Sequence, residues 1–282
     1  MNILSIQSHV VHGHVGNRSA VFPLERLGYE VWPINTVQFS CHSGIPGWTG
    51  SNFGGQHVLK LVQGLEAIGV LATCDAVLSG YMGDVETGRA ILEAVSAVRS
   101  VNPAALYCCD PVMGDTPGGI YVKSDLPPFM MQEVVPRADI VCPNVFEASL
   151  LAGPASAKKS NISGIVDAIH ALGPRIVIIK SYQPGNDGRL GFFISDGSVR
   201  KMVLSPVLPF PRPPKGSGDL ASALFLGYYL KSRDTITAIE ATLDALYTIL
   251  EATLDSGRDE LAIIASQDEI ARPRHRFKAE RA

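Results

Sequence analysis

Asn2-Ile3-Leu4-Ser5-Ile6 running into Gln7-Ser8-His9, then Ala20–Leu27, then Val31–Asn35, is the stretch that decides the fold. The first run is short, aliphatic and stopped by polar residues, the pattern of a strand inside a covered sheet. The second carries helical spacing and the third is a strand again. The alternation continues down the chain. Gln56–Ile68 reads as an amphipathic helix, Ala76–Ser79 as a strand and Thr87–Val101 as a helix. Ala105–Cys109 is a strand running into Asp110-Pro111, and Asp139–Cys142 is a strand stopped by Pro143. Val145–Ala152 and Ile162–Leu172 are helical, and Arg175–Lys180 is a strand. Leu190–Ser195 and Ser198–Leu204 meet around Asp196-Gly197 as a hairpin. Two helices, Leu220–Leu230 and Thr235–Leu254, precede a late strand at Leu261–Ile264. Strands alternating with helices predict an α/β fold, a mostly parallel central sheet flanked by helices on both faces, as one domain over 1–282.

Bulk composition agrees and excludes several function classes. The 282 residues are 46% hydrophobic and 18% charged, which supports a large buried core. Net charge is −3, with no basic block or stripe, so neither nucleic acid nor an anionic membrane is an expected partner. No apolar run approaches a membrane span and no signal-peptide pattern opens the chain, so a cytoplasmic location is expected. Five cysteines in strand-like surroundings, Cys108 and Cys109 adjacent, suit core filling rather than a disulfide framework.

In parallel sheets, ligands bind beyond the carboxyl ends of the strands. The residues to examine are therefore Ser8, Thr36, Gly80-Tyr81, Asp110, Asn144 and Ser181. Gly216-Ser217-Gly218-Asp219, with an apolar helix behind it, carries the clearest chemistry. Its glycines let successive N–H groups converge, and the helix dipole adds positive potential, so an anion is favoured there. A phosphate on that turn would have Asp219 beside it, placed to take a proton from an attacking hydroxyl. Taken alone, the same four residues also read as a turn with a helix cap. Asp110 and Asp115, five apart in a strand-end loop, suit a hydrated divalent cation that bridges nucleotide phosphates. Glu147, three residues after Asn144, adds a carboxylate to that cation or makes a helix-start contact. His9, His12 and His14 suit a loop lining a polar substrate better than a zinc site. Phe39, His42 and Trp48, with the Thr36 and Ser40 hydroxyls, suit a flat heteroaromatic ligand. The proline-rich 206–214 segment, leading into Gly216, is the candidate mobile loop.

Taken together these motifs resemble the pyridoxal kinases of the ribokinase-like superfamily. The resemblance rests on Gln7-Ser8-His9-Val10-Val11, Gly13-His14, Gly16-Asn17, Asn35-Thr36-Val37-Gln38-Phe39-Ser40 and Ser79-Gly80-Tyr81-Met82-Gly83. It continues in Cys109–Gly114, Gly119–Val122, Pro143-Asn144, Phe146-Glu147 and the closing Gly216–Asp219, in consistent order from residue 3 to about residue 278. It implies ATP-dependent phosphorylation of the 5′-hydroxyl of pyridoxal, and of pyridoxine and pyridoxamine, by a cytoplasmic homodimer using Mg²⁺. By position, Ser8, Val10, Thr36, Phe39, His42 and Tyr81 correspond to the vitamer pocket. Asp219 corresponds to the base, and Gly216, Ser217 and Gly218 to the anion hole. Asp110, Asp115 and Glu147 correspond to the metal cluster, and Asp110, Asn144, Glu147, Lys180 and Ser181 to the nucleotide side. Cys142 and Lys180 stand where many members carry threonines that seat a monovalent cation, which puts potassium dependence in question. Ile120-Tyr121 stands where some bacterial relatives carry a reactive cysteine. A hydroxymethylpyrimidine or sugar kinase, or a non-catalytic binder of the vitamin, are the alternative readings.

Overall fold

The computed structural model describes residues 1–153 and 161–282. Its elements in chain order are β1 (Asn2–Val10), α1 (Asn17–Arg26), β2 (Glu30–Phe39), β3 (Gly50–Asn52), α2 (Gly54–Ala67), β4 (Cys74–Ser79) and α3 (Val85–Val101). There follow β5 (Leu106–Cys109), β6 (Gly114–Asp115), β7 (Gly119–Ile120), α4 (Leu126–Phe129), β8 (Ile140–Val141), α5 (Val145–Leu151) and α6 (Ile162–Leu172). The last are β9 (Ile176–Tyr182), β10 (Arg189–Ser195), β11 (Arg200–Pro206), α7 (Ser217–Ser232), α8 (Thr235–Asp255), α9 (Gln267–Ala271) and β12 (Glu280–Arg281).

Ten strands form one sheet in the order β12-β11-β10-β9-β8-β5-β4-β1-β2-β3, and β6 and β7 make a separate small ribbon. The six strands from β9 to β2 are mutually parallel, whereas β10, β11, β12 and β3 add antiparallel edges. Side chains alternate between two cores. Ile3, Leu78, Cys108 and Ile140 face α1, α7 and α8, whereas Leu4, Ile6, Val77 and Val141 face α2, α3, α5 and α6. This is the expected sheet with both faces covered.

Two differences from the sequence reading bear on function. Residues 261–264 do not form a strand; the last strand is Glu280–Arg281, paired to β11. Leu261 and Ile263 are buried all the same, and the Ala262 N–H donates to Thr253 Oγ1 at 2.9 Å, so an apolar turn docks against α8. Buried aliphatics satisfy the hydrophobic signal for a strand without supplying its ladder. The helix read as starting at Leu220 begins at Ser217, which puts Asp219 inside its first turn. Leu220 to Leu230 are all buried, so α7 is a central helix with no polar face.

Candidate active site

α1 and α7 both start at a glycine and point their N-termini at one place. Gly16 (φ +55) and Gly216 (φ +85) occupy backbone conformations that favour glycine. Neither could accept a side chain for a second reason. A Cβ on Gly16 would lie 2.1 Å from Ser8 O, and one on Gly216 would lie 1.7 Å from His14 O. The two turns therefore pack backbone to backbone. Behind them, Tyr29 Oη donates to Gly227 O at 2.6 Å, and a Cβ on Gly227 would meet Leu24 and Leu27. That packing fixes α1 against α7.

The first turn of α7 has no side-chain cap, unlike those of α3, α5, α6 and α8. Its free N–H groups keep their capacity for an anion. Asp219 sits in this turn, and its Oδ2 accepts the Gly16 N–H at 2.7 Å. Burial pushes the Asp219 carboxyl up to about 6, and the charge of Asp110 pushes the same way. The Gly16 hydrogen bond and Lys180 oppose the rise.

Lys180, from β9, lies beneath the turn: its Nζ would be 3.3 Å from a Cβ on Gly218. It donates to Asp110 Oδ2 at 2.5 Å and to Ser222 Oγ at 3.4 Å, and Ser222 Oγ donates to the same Asp110 oxygen at 2.7 Å. Burial works against the ammonium, but the carboxylates of Asp110 and Glu147 outweigh it and hold Lys180 charged. Asp110 Oδ1 is buried and has no partner among the described residues.

Glu147 is buried and already occupied. Its Oε2 accepts the Asn144 N–H at 2.8 Å and its Oε1 the Met113 N–H at 3.0 Å. Asn144 Oδ1 in turn accepts the Glu147 N–H at 2.9 Å, a capping box that opens α5. Asn144 Nδ2 donates to Gly114 O at 2.8 Å. Burial raises the Glu147 carboxyl to about 7; Lys180 opposes the rise and Asp110 adds to it.

Asp115 stands apart on the β6–β7 ribbon, with Oδ2 3.5 Å from Lys215 Nζ. Among the described residues, no three His, Cys, Asp or Glu side chains meet as a metal-holding group. Asp110, Asp115 and Glu147 thus do not close into the ready-made cluster read from the sequence: amides hold both Glu147 oxygens, Lys180 holds Asp110 Oδ2, and Asp115 stands away on its ribbon. Ser181 follows Lys180 with φ +54, is exposed, and makes no side-chain hydrogen bond among the described residues.

A cavity of ≈ 230 Å³ opens beside the glycine turns, lined by Val10, His14, Val15, His42, Lys215 and Glu260, among others. Of the six expected vitamer residues, only Val10 and His42 line it; Ser8, Thr36, Phe39 and Tyr81 do not. Thr36 is fully buried within β2 rather than after a strand, and its hydroxyl donates to Tyr81 O at 2.8 Å. Phe39 instead packs on Trp48, with ring centroids 4.5 Å apart. His12 also lines the cavity and His9 does not, and Arg212 and Pro213 bring the proline-rich segment to its edge. Burial and the charge of Lys215 lower the His42 pKa.

Sequence reading missed Ser222, Gly16 as a donor, and Glu260. Ser222 was findable, one helical turn after Asp219. The other two act across more than two hundred residues of chain and leave no local pattern.

The sequence profile of the phosphomethylpyrimidine kinase family matches residues 61–263. A pyridoxal kinase PdxY from Deinococcus radiodurans is 44% identical, over 99% of this chain and 96% of that protein. The chain belongs to the pyridoxal kinase family. A second pyridoxal kinase PdxY, from Rubrobacter xylanophilus, is 43% identical over 100% of this chain and 97% of its own length. The solved pyridoxal kinase of Leishmania donovani, in complex with ADP and ginkgotoxin, superposes with TM-score 0.88 at 29% identity, covering 99% of this chain and 98% of that one. The pyridoxal kinase of Trypanosoma brucei does so with TM-score 0.84 at 32% identity, covering 99% of each. The fold is thus the ribokinase-like fold of the pyridoxal kinases. No helix among the described residues is long and apolar enough to cross a membrane.

Proposed function

We propose that this chain, acting as one kinase domain over 1–282, transfers the terminal phosphoryl group of ATP to the 5′-hydroxyl of pyridoxal. Pyridoxine and pyridoxamine, which carry the same hydroxymethyl group, are accepted as well. The observation that carries the reading is Asp219, held by Gly16 in the uncapped first turn of α7 above the buried Lys180–Asp110 pair. Phosphoryl transfer asks for alignment and charge neutralisation, and these residues supply both.

Asp219 orients the 5′-hydroxyl and takes its proton as the oxygen attacks. The Gly216–Asp219 amides receive the negative charge of the phosphoryl oxygens, and Lys180 adds a fixed positive charge below them. Ser8, Val10, Phe39, His42 and Tyr81 hold the pyridine ring, and Thr36 serves by fixing the backbone at Tyr81. Asn144, Glu147 and Ser181 belong to the nucleotide side.

Mg²⁺ fits the residues present. Asp110 Oδ1 is a buried carboxylate oxygen without a partner, and Mg²⁺ in kinases uses one or two carboxylates with water and phosphates as its remaining ligands. Asp110 would hold it, Asp115 and Glu147 would add negative charge around it, and it would neutralise the charge of the nucleotide phosphates. A lysine ammonium beside the phosphate cradle also makes a potassium ion redundant.

We infer further that the enzyme is a cytoplasmic homodimer. The exposed Trp48 and Phe53 flank the edge strand β3, where a second copy would cover them.

The test is an absorbance assay for pyridoxal 5′-phosphate with MgATP, with and without K⁺, beside parallel assays of pyridoxine, pyridoxamine and hydroxymethylpyrimidine. Turnover of pyridoxal without K⁺ supports the reading. Binding of pyridoxal without turnover makes the chain a vitamer-binding protein. Preferred turnover of hydroxymethylpyrimidine overturns the substrate assignment.

A further inference from the structure

Residues 13 to 16 form a short loop that touches each part of the proposed chemistry. The Gly16 N–H reaches Asp219 Oδ2. Gly16 also lies so close to Ser8 that a Cβ there would be 2.1 Å from Ser8 O. His14 O lies against Gly216, at the start of the anion hole, and accepts the Ser19 hydroxyl at 2.6 Å. A shift of this loop moves the base, the vitamer side and the phosphate cradle together.

Besides Asp219 and Ser19, a third side chain from outside holds the loop. Glu260 Oε2 accepts the His14 N–H at 3.1 Å, across 246 residues of chain. The same carboxylate packs over Gly13 (φ +97), 2.5 Å from where a Cβ would stand. Glu260 is itself firmly mounted: Leu261 and Ile263 beside it are buried, and Ala262 is bonded to Thr253. The chain that reads as a late strand is instead a rigid bracket under this carboxylate.

We propose that Glu260 is a positioning residue for phosphoryl transfer, holding the Gly13–Gly16 loop where Gly16 meets both Asp219 and Ser8. The inference rests on the reading of Asp219 as the base. What the loop requires from Glu260 is a hydrogen-bond acceptor at the right reach rather than a negative charge. A misplacement of about 1 Å in a phosphoryl-transfer site can cost on the order of a hundredfold in rate.

The experiment compares Glu260→Ala, Glu260→Gln and Asp219→Asn in one steady-state assay with pyridoxal and MgATP, with melting temperatures for each. Glu260→Ala is expected to lower kcat about ten- to a hundredfold and to keep the KM for ATP within about twofold. Glu260→Gln, whose amide oxygen accepts the same N–H, is expected to restore kcat to within about threefold of the parent. Parental kcat in Glu260→Ala overturns the proposal, as do equal losses in the Ala and Gln variants. A rise in the KM for pyridoxal with kcat unchanged also overturns it, since that marks a direct ligand contact. Should the Ala variant fail to fold, Glu260→Asp takes its place, keeping the charge while falling one methylene short. If Asp219→Asn keeps full turnover, the base assignment fails. If Asp219→Asn is inactive and Glu260→Ala is unaffected, only the role of Glu260 fails.

Discussion

Gly16 donates its backbone N–H to Asp219 Oδ2 at 2.7 Å, joining the start of α1 to the start of α7 across 203 residues. The bond does two things at once. It fixes the rotamer of the carboxylate, and it stabilises the charged form against burial and the nearby charge of Asp110. The carboxyl comes to rest at about 6, above an ordinary aspartate yet still ionised at neutral pH. That is where a general base at neutral pH is most useful, being both available and basic enough to take a proton.

A pH dependence follows, with a definite sign. Asp219 works deprotonated, so kcat/KM for pyridoxal should fall as pH drops through about 6, in proportion to the protonated fraction of the free enzyme. Steady-state rates from pH 5 to 9, with pyridoxal varied from well below its KM, measure it. An acid limb near pH 4, the range of an unperturbed carboxylate, would contradict the assignment.

Asp219→Asn should fold and lose about 10²–10⁴-fold in kcat, because the amide keeps the shape and cannot accept the proton. Its effect on stability runs the other way. A carboxyl whose folded pKa lies above its ordinary 3.8 favours folding below pH 3.8, and that contribution is lost as pH rises through about 6. At pH 7.5 the ionised Asp219 therefore costs stability, on the order of 1–3 kcal/mol, which asparagine removes. Melting curves at pH 7.5 should show the inactive variant to be the more stable protein.

Much of this was legible in the residues themselves. The strand–helix alternation gives the parallel sheet, and polar residues at strand ends lead to Asp110 and Asn144, whereas Lys180 enters only through the family resemblance. The Gly-Ser-Gly-Asp turn, which alone also reads as a turn with a helix cap, points to an anion and a base once the strand-end carboxylates are read together with it. A hydroxyl near a strand end, such as that of Thr36, reads alike whether it faces a ligand or a neighbouring carbonyl, and here it donates to Tyr81 O. Residues 261–264 misled for a related reason: burial makes the same apolar run in a docked turn as in a strand. The Gly16 donation to Asp219 and the contacts of Glu260 left no trace, because they are made only when distant segments pack.

The Lys180–Asp110 pair should be strongly coupled to both stability and rate. Lys180→Met leaves Asp110 buried without its cation, and breaking one side of a buried pair costs about 3–5 kcal/mol. It also removes the fixed charge below the phosphate cradle, so kcat should fall by about a hundredfold or more. The parent enzyme should run at the same rate in potassium as in tetramethylammonium buffers. A strict requirement for potassium in the parent would show that Lys180 does not stand in for a cation.

Gly216→Ala tests the close approach of the two helix starts, with Gly69→Ala as its control. Both glycines have positive φ, +85 and +75, so alanine pays a similar backbone cost at each, about 1 kcal/mol. Their surroundings differ. A Cβ at Gly69 meets nothing within 4 Å, whereas one at Gly216 would lie 1.7 Å from His14 O, a backbone atom that cannot swing aside. The Gly13–Gly16 loop must move to admit it, carrying Gly16 away from Asp219. Gly69→Ala should therefore lower the melting temperature slightly and leave kcat intact. Gly216→Ala should lower the melting temperature further and reduce kcat by about a hundredfold or more. Equal kinetics in the two variants would mean that contact between the α1 and α7 turns does not set the geometry of the base.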